Sequence, residues 1–204
     1  MHPNPAFRNA TQEKNIRFAR NRSFGTLAIN SDDGPLLSHV PFLLSNDATY
    51  LELHLVRSNP IVRHLSQPTN AVISVNGGDA YISPDWYEID DQVPTWNYVA
   101  VHLRGTLERL PENELHGVLK RLSASMEQRL LPKKPWTSDK MDQETYHRMQ
   151  RQIVPIVLQI TQIDGTWKLS QNKPDEVRLK AADGVRDYPM ESQAEALSNL
   201  MRKP

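Results

Sequence analysis

The sequence contains no cysteine. That excludes a disulfide framework, a thiolate zinc site and catalysis by a cysteine nucleophile. It also has no excess of charge of either sign, because 24 basic and 24 acidic residues cancel. No broad positive field is then available to draw in nucleic acid or an anionic membrane, so any DNA contact is expected to be local or indirect. No apolar run approaches the length of a membrane span, and the opening MHPNPAFRNATQEKN lacks the apolar core of a signal peptide. These absences predict a soluble, cytoplasmic protein with no membrane partner. Sharp catalytic motifs are missing as well: there is no Gly-rich phosphate loop, no HExxH and no Gly-x-Ser-x-Gly elbow. The chemistry has to be sought in polar clusters that the fold brings into position.

With 204 residues, the chain has ample length to bury a core as one domain, or as a domain with a helical appendage. Thr11 can cap a short helix over QEKNIRFARNR. From residue 24 the pattern becomes extended, and Ser31-Asp32-Asp33-Gly34 carries the Asp-Gly signal of a hairpin. A second turn at Ser45-Asn46-Asp47 leads into ATYLELHLV, which predicts a three-stranded meander. In RSNPIVRHLSQ, Ser58 or Asn59 can cap a short helix with Pro60 first and Ile61, Val62 and Leu65 facing inward. TNAVISVNG, AYISPDWY and YVAVHLRGTLERL continue the strand pattern, the last by alternation of Val99, Val101 and Leu103. Residues 111–131 place Leu115, Val118, Leu119 and Leu122 at helical spacing, and a second helix is expected over about 142–153. PIVLQITQIDG then reads as a strand whose Gly165 should set a hairpin into TWKLSQNK. The sum is a mainly β chain with flanking helices, a small Greek-key type barrel and not a parallel sheet. Its boundaries are expected at residues 1–180, with the helical excursion at about 111–153, and a C-terminal extension with a short helix over 181–204.

Four polar clusters stand out. His39, His54 and His102 each fall on a predicted strand, where an imidazole can do acid/base chemistry; with no carboxylate in ligand spacing no metal is assigned, and hydrogen-bonded structural histidines are the plainer account. HLVRSNP places Arg57, Ser58 and Asn59 just before a helix, a cation with polar donors that suits a phosphate or forms an ordinary cap. YISPDWY and VPTWNY put aromatic rings beside strand-breaking Pro84 and Pro94, which suits a planar heteroaromatic ligand or a dimer interface. TWKLSQNK offers Lys168, Ser170, Gln171, Asn172 and Lys173 in one stretch, nearly all hydrogen-bond donors.

Read together, FGTL, SHVPF, HLVRSNP, AYISPDWY, VPTWNYVAVHLRG and WKLSQNK resemble the FMN-binding negative transcriptional regulators of the PaiB type, in the flavin split-barrel superfamily. The resemblance spans roughly residues 1–180. It implies an FMN-binding split β-barrel that forms a homodimer, with one FMN in each of two interface grooves, and a role in repressing sporulation and degradative-enzyme genes. It draws Ser38, His39 and Val40 of SHVPF, His54 of HLVRSNP, and Trp96 and Asn97 of VPTWNY into the expected cofactor set. The wider superfamily often holds the phosphate with an Arg-Lys pair, where this sequence reads SNPIVRHL; the phosphate role goes to Arg57, Ser58 and Asn59 on their chemistry. Lys168, Ser170 and Gln171, at the end of the expected hairpin, are assigned to the flavin ring or ribityl chain, with Lys168 near N1 and C2=O. Three function classes stay open: a flavin-binding regulator, a flavin-dependent oxidoreductase of a small molecule in which His39 or His102 reaches the ring, and a dimeric scaffold without cofactor. No helix-turn-helix is legible, since the most basic helical stretch, KRLSASMEQRLLPKKPW, is interrupted by proline, so repression would act through DNA only indirectly or through a partner protein or metabolite.

Overall fold

A computed structural model describes residues 2–190 and 193–203. Seven strands are β1 (Phe24–Ile29), β2 (Leu36–Pro41), β3 (Leu43–Leu44), β4 (Tyr50–Val56), β5 (Thr69–Ile82), β6 (Thr95–Arg109) and β7 (Ile153–Lys168). The helices are α1 (Gln12–Arg22), α2 (Pro60–Arg63), α3 (Leu115–Gln128), α4 (Gln143–Gln150), α5 (Asp175–Asp187) and α6 (Ala194–Arg202). The strands form one sheet in the order β2-β1-β5-β6-β7-β4-β3. The chain divides into two compact units, one of residues 1–15, 76–102 and 164–204, the other of residues 16–75 and 103–163.

The second unit holds the strands that curl. The β1–β2 hairpin forms where Asp-Gly predicts it: Ser31 and Gly34 exchange backbone hydrogen bonds of 3.2 and 3.1 Å, and Gly34 takes φ 109°, a value that a side chain would disfavour. Ile29 then pairs with Leu36 and Phe24 with Pro41. The expected meander follows with its middle segment bent, since Leu36–Pro41 pairs with β1 and Leu43–Leu44 with β4. β2 and β3 are the opposite edges of the sheet order, yet only Phe42 separates them, so the chain carries one edge round to the other and the sheet has to close on itself. Phe42 is fully buried, and its N–H donates to Ser23 O at 3.0 Å. Leu27, Leu51, Leu53, Ile73, Leu103, Leu107, Ile156 and Leu158 are inaccessible to solvent and make the barrel core of this unit. Alternation along β4 leaves Glu52 on the opposite face, where Arg121 of α3 grips it with two hydrogen bonds of 2.8 and 2.6 Å. The last turn of α1 is held by Arg129, whose guanidinium donates to Asn21 O, Arg20 O and Ser23 Oγ at 2.9, 2.8 and 2.7 Å. A cation at orphan carbonyls satisfies acceptors and complements the helix dipole together.

In the first unit, Gly165 makes no hairpin. β7 runs through it as one 16-residue strand, and glycine is needed for another reason: a Cβ there would lie 2.0 Å from Asn15 Oδ1. That oxygen accepts from the buried Trp167 indole at 2.8 Å, and Lys14 Nζ sits 4.4 Å from the centre of the same ring. The N-terminal segment is thereby fastened to β7. TWKLSQNK is the end of the strand and the entry to α5, which passes straight across residue 181. α5 packs on α6 through Ser198 Oγ, which donates to Ala182 O at 2.6 Å, and through Arg178, buried and bonded to Met201 O.

Candidate functional site

In the second unit, α2 begins as its sequence demands. Asn59 Oδ1 accepts from Ile61 N at 3.0 Å, and its Nδ2 donates to Ser38 Oγ at 3.1 Å. This joins SHVPF to HLVRSNP. Ser58 and His39 are exposed, whereas Val40 is buried, so that only its main chain could meet a ligand. His54 lies on the Glu52 face of β4; its Nδ1 is buried and meets no partner among the described residues, and burial lowers its pKa. Arg57 is turned toward the helical excursion. Its guanidinium makes a two-pronged pair with Glu112, both contacts 3.0 Å, and donates to Arg151 O at 3.0 Å and Ile153 O at 3.1 Å. The same hydrogen bonds hold the Glu112 carboxyl below its usual range and raise the Arg57 pKa.

In the first unit, a pocket of about 200 Å³ opens among Tyr87, Thr95, Asn97, Lys168, Ser170 and Lys173. The long alternating strand β6 points Asn97 inward, fully buried, while Trp96 faces out, edge-on to Tyr81 at 6.3 Å. Asn97 Nδ2 donates to Ser170 Oγ at 2.9 Å, and that hydroxyl shares a 3.1 Å hydrogen bond with the Tyr87 phenol. Ser170 holds φ 61°, a left-handed conformation that few side chains adopt, and such strain concentrates at functional sites. Lys168, half-buried, donates to Thr95 Oγ1 at 2.5 Å. Burial lowers its pKa, and an anion or an electron-rich edge beside it would favour the charged form. Burial likewise raises the Tyr87 phenol, an effect that the Ser170 hydrogen bond partly opposes. Lys173 lies over the Tyr87 ring at 4.4 Å and bonds Gln92. Gln171 is engaged locally: its Oε1 accepts from Leu169 N at 2.8 Å and its Nε2 donates to Ala6 O at 3.1 Å.

The expected residues thus fall into two sets, Ser38 to Asn59 in one unit and Trp96 to Gln171 in the other. Asn97, Lys168 and Ser170 do meet in one pocket. Tyr87, Thr95 and Lys173 were not assigned to a cofactor from the sequence, although all three sit inside the motifs that carry the resemblance. Among the described residues, no group of three or more His, Cys, Asp or Glu could hold a metal ion, and no helix is long and apolar enough to cross a membrane.

The family described as "Putative FMN-binding domain" matches residues 1–162. The chain belongs to this family. It is also 30% identical over 169 residues to Protease synthase and sporulation protein PAI 2 of Bacillus subtilis, covering 82% of this chain and 80% of that one. Among solved structures it is similar to the FAD and heme binding protein of Mycobacterium smegmatis, with TM-score 0.56, 17% identity, and 79% of this chain and 73% of the other covered. It is similar too to the conserved hypothetical protein Rv2991 of Mycobacterium tuberculosis, again with TM-score 0.56 and 17% identity, over 83% of this chain and 92% of the other. These structures share the fold, the flavin split barrel. The chain is therefore a flavin-binding protein of the PaiB type, with FMN as the cofactor of its family. The first-unit pocket suits one edge of such a group: a flavin presents ring nitrogens and carbonyl oxygens along that edge, and the pocket is lined by two ammoniums, Lys168 and Lys173, and three hydroxyls, Tyr87, Thr95 and Ser170.

Proposed function

We propose that this protein is an FMN-binding regulator that acts as a homodimer and senses through its flavin without reading operator DNA directly. The observation that carries the proposal is the half-buried ammonium of Lys168, held by Thr95 at the rim of a polar pocket in a chain of an FMN-binding family. When bound, FMN supplies a two-electron redox centre whose reduced form carries negative charge near N1. Lys168 beside the N1–C2=O edge makes that form more favourable, which ties the state of the protein to the state of its flavin.

The phosphate is assigned separately, to the polar groups before α2. Ser58 is exposed there, and the Ser38 hydroxyl can still donate while it accepts from Asn59. Arg57 would have to leave Glu112 to take part. A homodimer is supported by exposed apolar side chains in each unit, Val93, Tyr188 and Met190 in one and Leu37 and Val56 in the other, all more than half accessible. Indirect action on genes is supported by the balanced charge, since 24 basic residues face 24 acidic ones. The visible spectrum of the freshly purified protein tests the core of the proposal. A flavin spectrum, with FMN released on denaturation, is expected; protein that stays colourless after incubation with FMN would refute it.

A further inference from the structure

Two cavities of the second unit lie in the helical excursion and include none of the residues assigned to the flavin ring. The larger, of about 420 Å³, is lined by Arg57, Glu112, His116, His147, Gln150 and Arg151, and has the size of a small-metabolite site. Its one carboxylate, Glu112, is already neutralised by Arg57 at 3.0 Å and Arg109 at 3.1 Å. The Arg151 guanidinium has no carboxylate partner among the described residues; only its main chain is engaged. His147 Nδ1 is bound to Gln150 Oε1 at 3.2 Å, and His116 Nδ1 lies 3.5 Å from the Tyr146 hydroxyl. With that phenol as donor, a neutral His116 carries its proton on Nε2 and can give it to an anion. Positive charge is in excess here. The smaller cavity, of about 270 Å³, meets the first at His116 and is walled by Leu119, Ala124, Trp136 and Tyr146, while Lys120 and Asp139 bring one charge of each sign. Glu127 fixes the Trp136 wall, accepting from its main-chain N–H at 2.8 Å, and the Tyr146 ring stands edge-on to His116 at 6.1 Å. Trp136 nonetheless stays 37% exposed.

We propose that the two cavities together form an effector site for a small aromatic carboxylate, its ring against Trp136 and Tyr146 and its carboxylate at Arg151 and His116. The larger cavity supplies the charge: an arginine fork matches a carboxylate in two-point geometry. The smaller supplies the ring contacts, since a flat apolar group gains most from aromatic walls that are otherwise wet. A purely inorganic anion would leave this second half unfilled. The inference goes beyond the FMN reading and uses none of its ligands, because Arg57 acts here only by holding Glu112.

Calorimetric titration of the full-length, FMN-saturated protein at constant ionic strength compares phenylacetate, phenylacetamide and acetate: a ring with charge, a ring without it, and the charge alone. Phenylacetate is expected to bind about tenfold more tightly than either of the others, or better. Arg151→Gln should abolish its advantage over the amide, and Trp136→Ala its advantage over acetate. If the three probes bind alike or not at all, or if phenylacetate keeps its full advantage in either variant, the inference is overturned. Release of FMN by phenylacetate, read as flavin absorbance in the dialysate, would put the acid in the cofactor groove and overturn it equally. The comparison of probes on the native protein decides even where a variant does not fold. Should the protein take up no FMN, the same titrations are run without it, so that failure of the cofactor reading and failure of this inference are separate results.

Discussion

Lys168 and Arg57 are two cations with opposite local situations. Lys168 has a neutral partner, Thr95, and burial works against its charge. A reduced flavin anion beside it is favoured, so Lys168→Met should lower the flavin midpoint potential while the fold is kept. A tenfold change in the relative binding of the two redox forms corresponds to about 30 mV for a two-electron couple, and a shift of that order is expected. A redox-dye titration of both fully loaded proteins measures it, and coincident midpoints would place Lys168 away from the ring. Arg57 already has a carboxylate and two carbonyls. Because that pair is exposed, its loss should cost only about 0.2–1 kcal/mol of stability. Arg57→Ala is accordingly expected to change the affinities for FMN and riboflavin by similar factors. A selective loss of FMN by roughly ten- to a hundredfold would mean that the pair opens and the guanidinium takes the phosphate.

The behaviour of β7 separates a glycine that turns from a glycine that yields space. Gly165 lies inside a strand, with the Asn15 carboxamide packed where a side chain would begin. Gly165→Ala should therefore push Asn15 away, break its hydrogen bond with Trp167 and destabilise the protein by about 1–3 kcal/mol, the usual range for overpacking. Thermal denaturation followed by tryptophan fluorescence gives the number. A neutral effect would be the signature of a tolerant turn, which is how the sequence reads locally. The helical elements were plainer to read. Asn59 before Pro60 defines α2, and the spacing of Leu115, Val118 and Leu122 defines the buried stripe of α3.

At the scale of the whole molecule, the exposed apolar residues Leu37, Val56, Val93, Tyr188 and Met190 favour the proposed second copy. Light scattering at micromolar concentration with FMN present is expected to give a dimer mass; a monomer would remove the proposed assembly. Balanced charge adds no long-range repulsion between two identical chains.

What the amino-acid order determined by itself was local. Composition excluded cysteine chemistry, whereas turn geometry set the Asp-Gly hairpin, an Asn-Pro pair set the cap of α2, and period-two alternation set the β class. The motifs that carry the family resemblance also lay open to reading, and three of their residues, Asn97, Lys168 and Ser170, do share a pocket. Only the tertiary structure decided the rest. That β2 and β3 are opposite edges of one sheet, that Arg57 faces Glu112, and that Gly165 makes room for Asn15 all depend on residues far apart in the chain. Local propensity acts over a few positions, whereas pairing and steric exclusion act between any two segments that packing brings together, so no window of sequence could show that Asn97 meets Ser170.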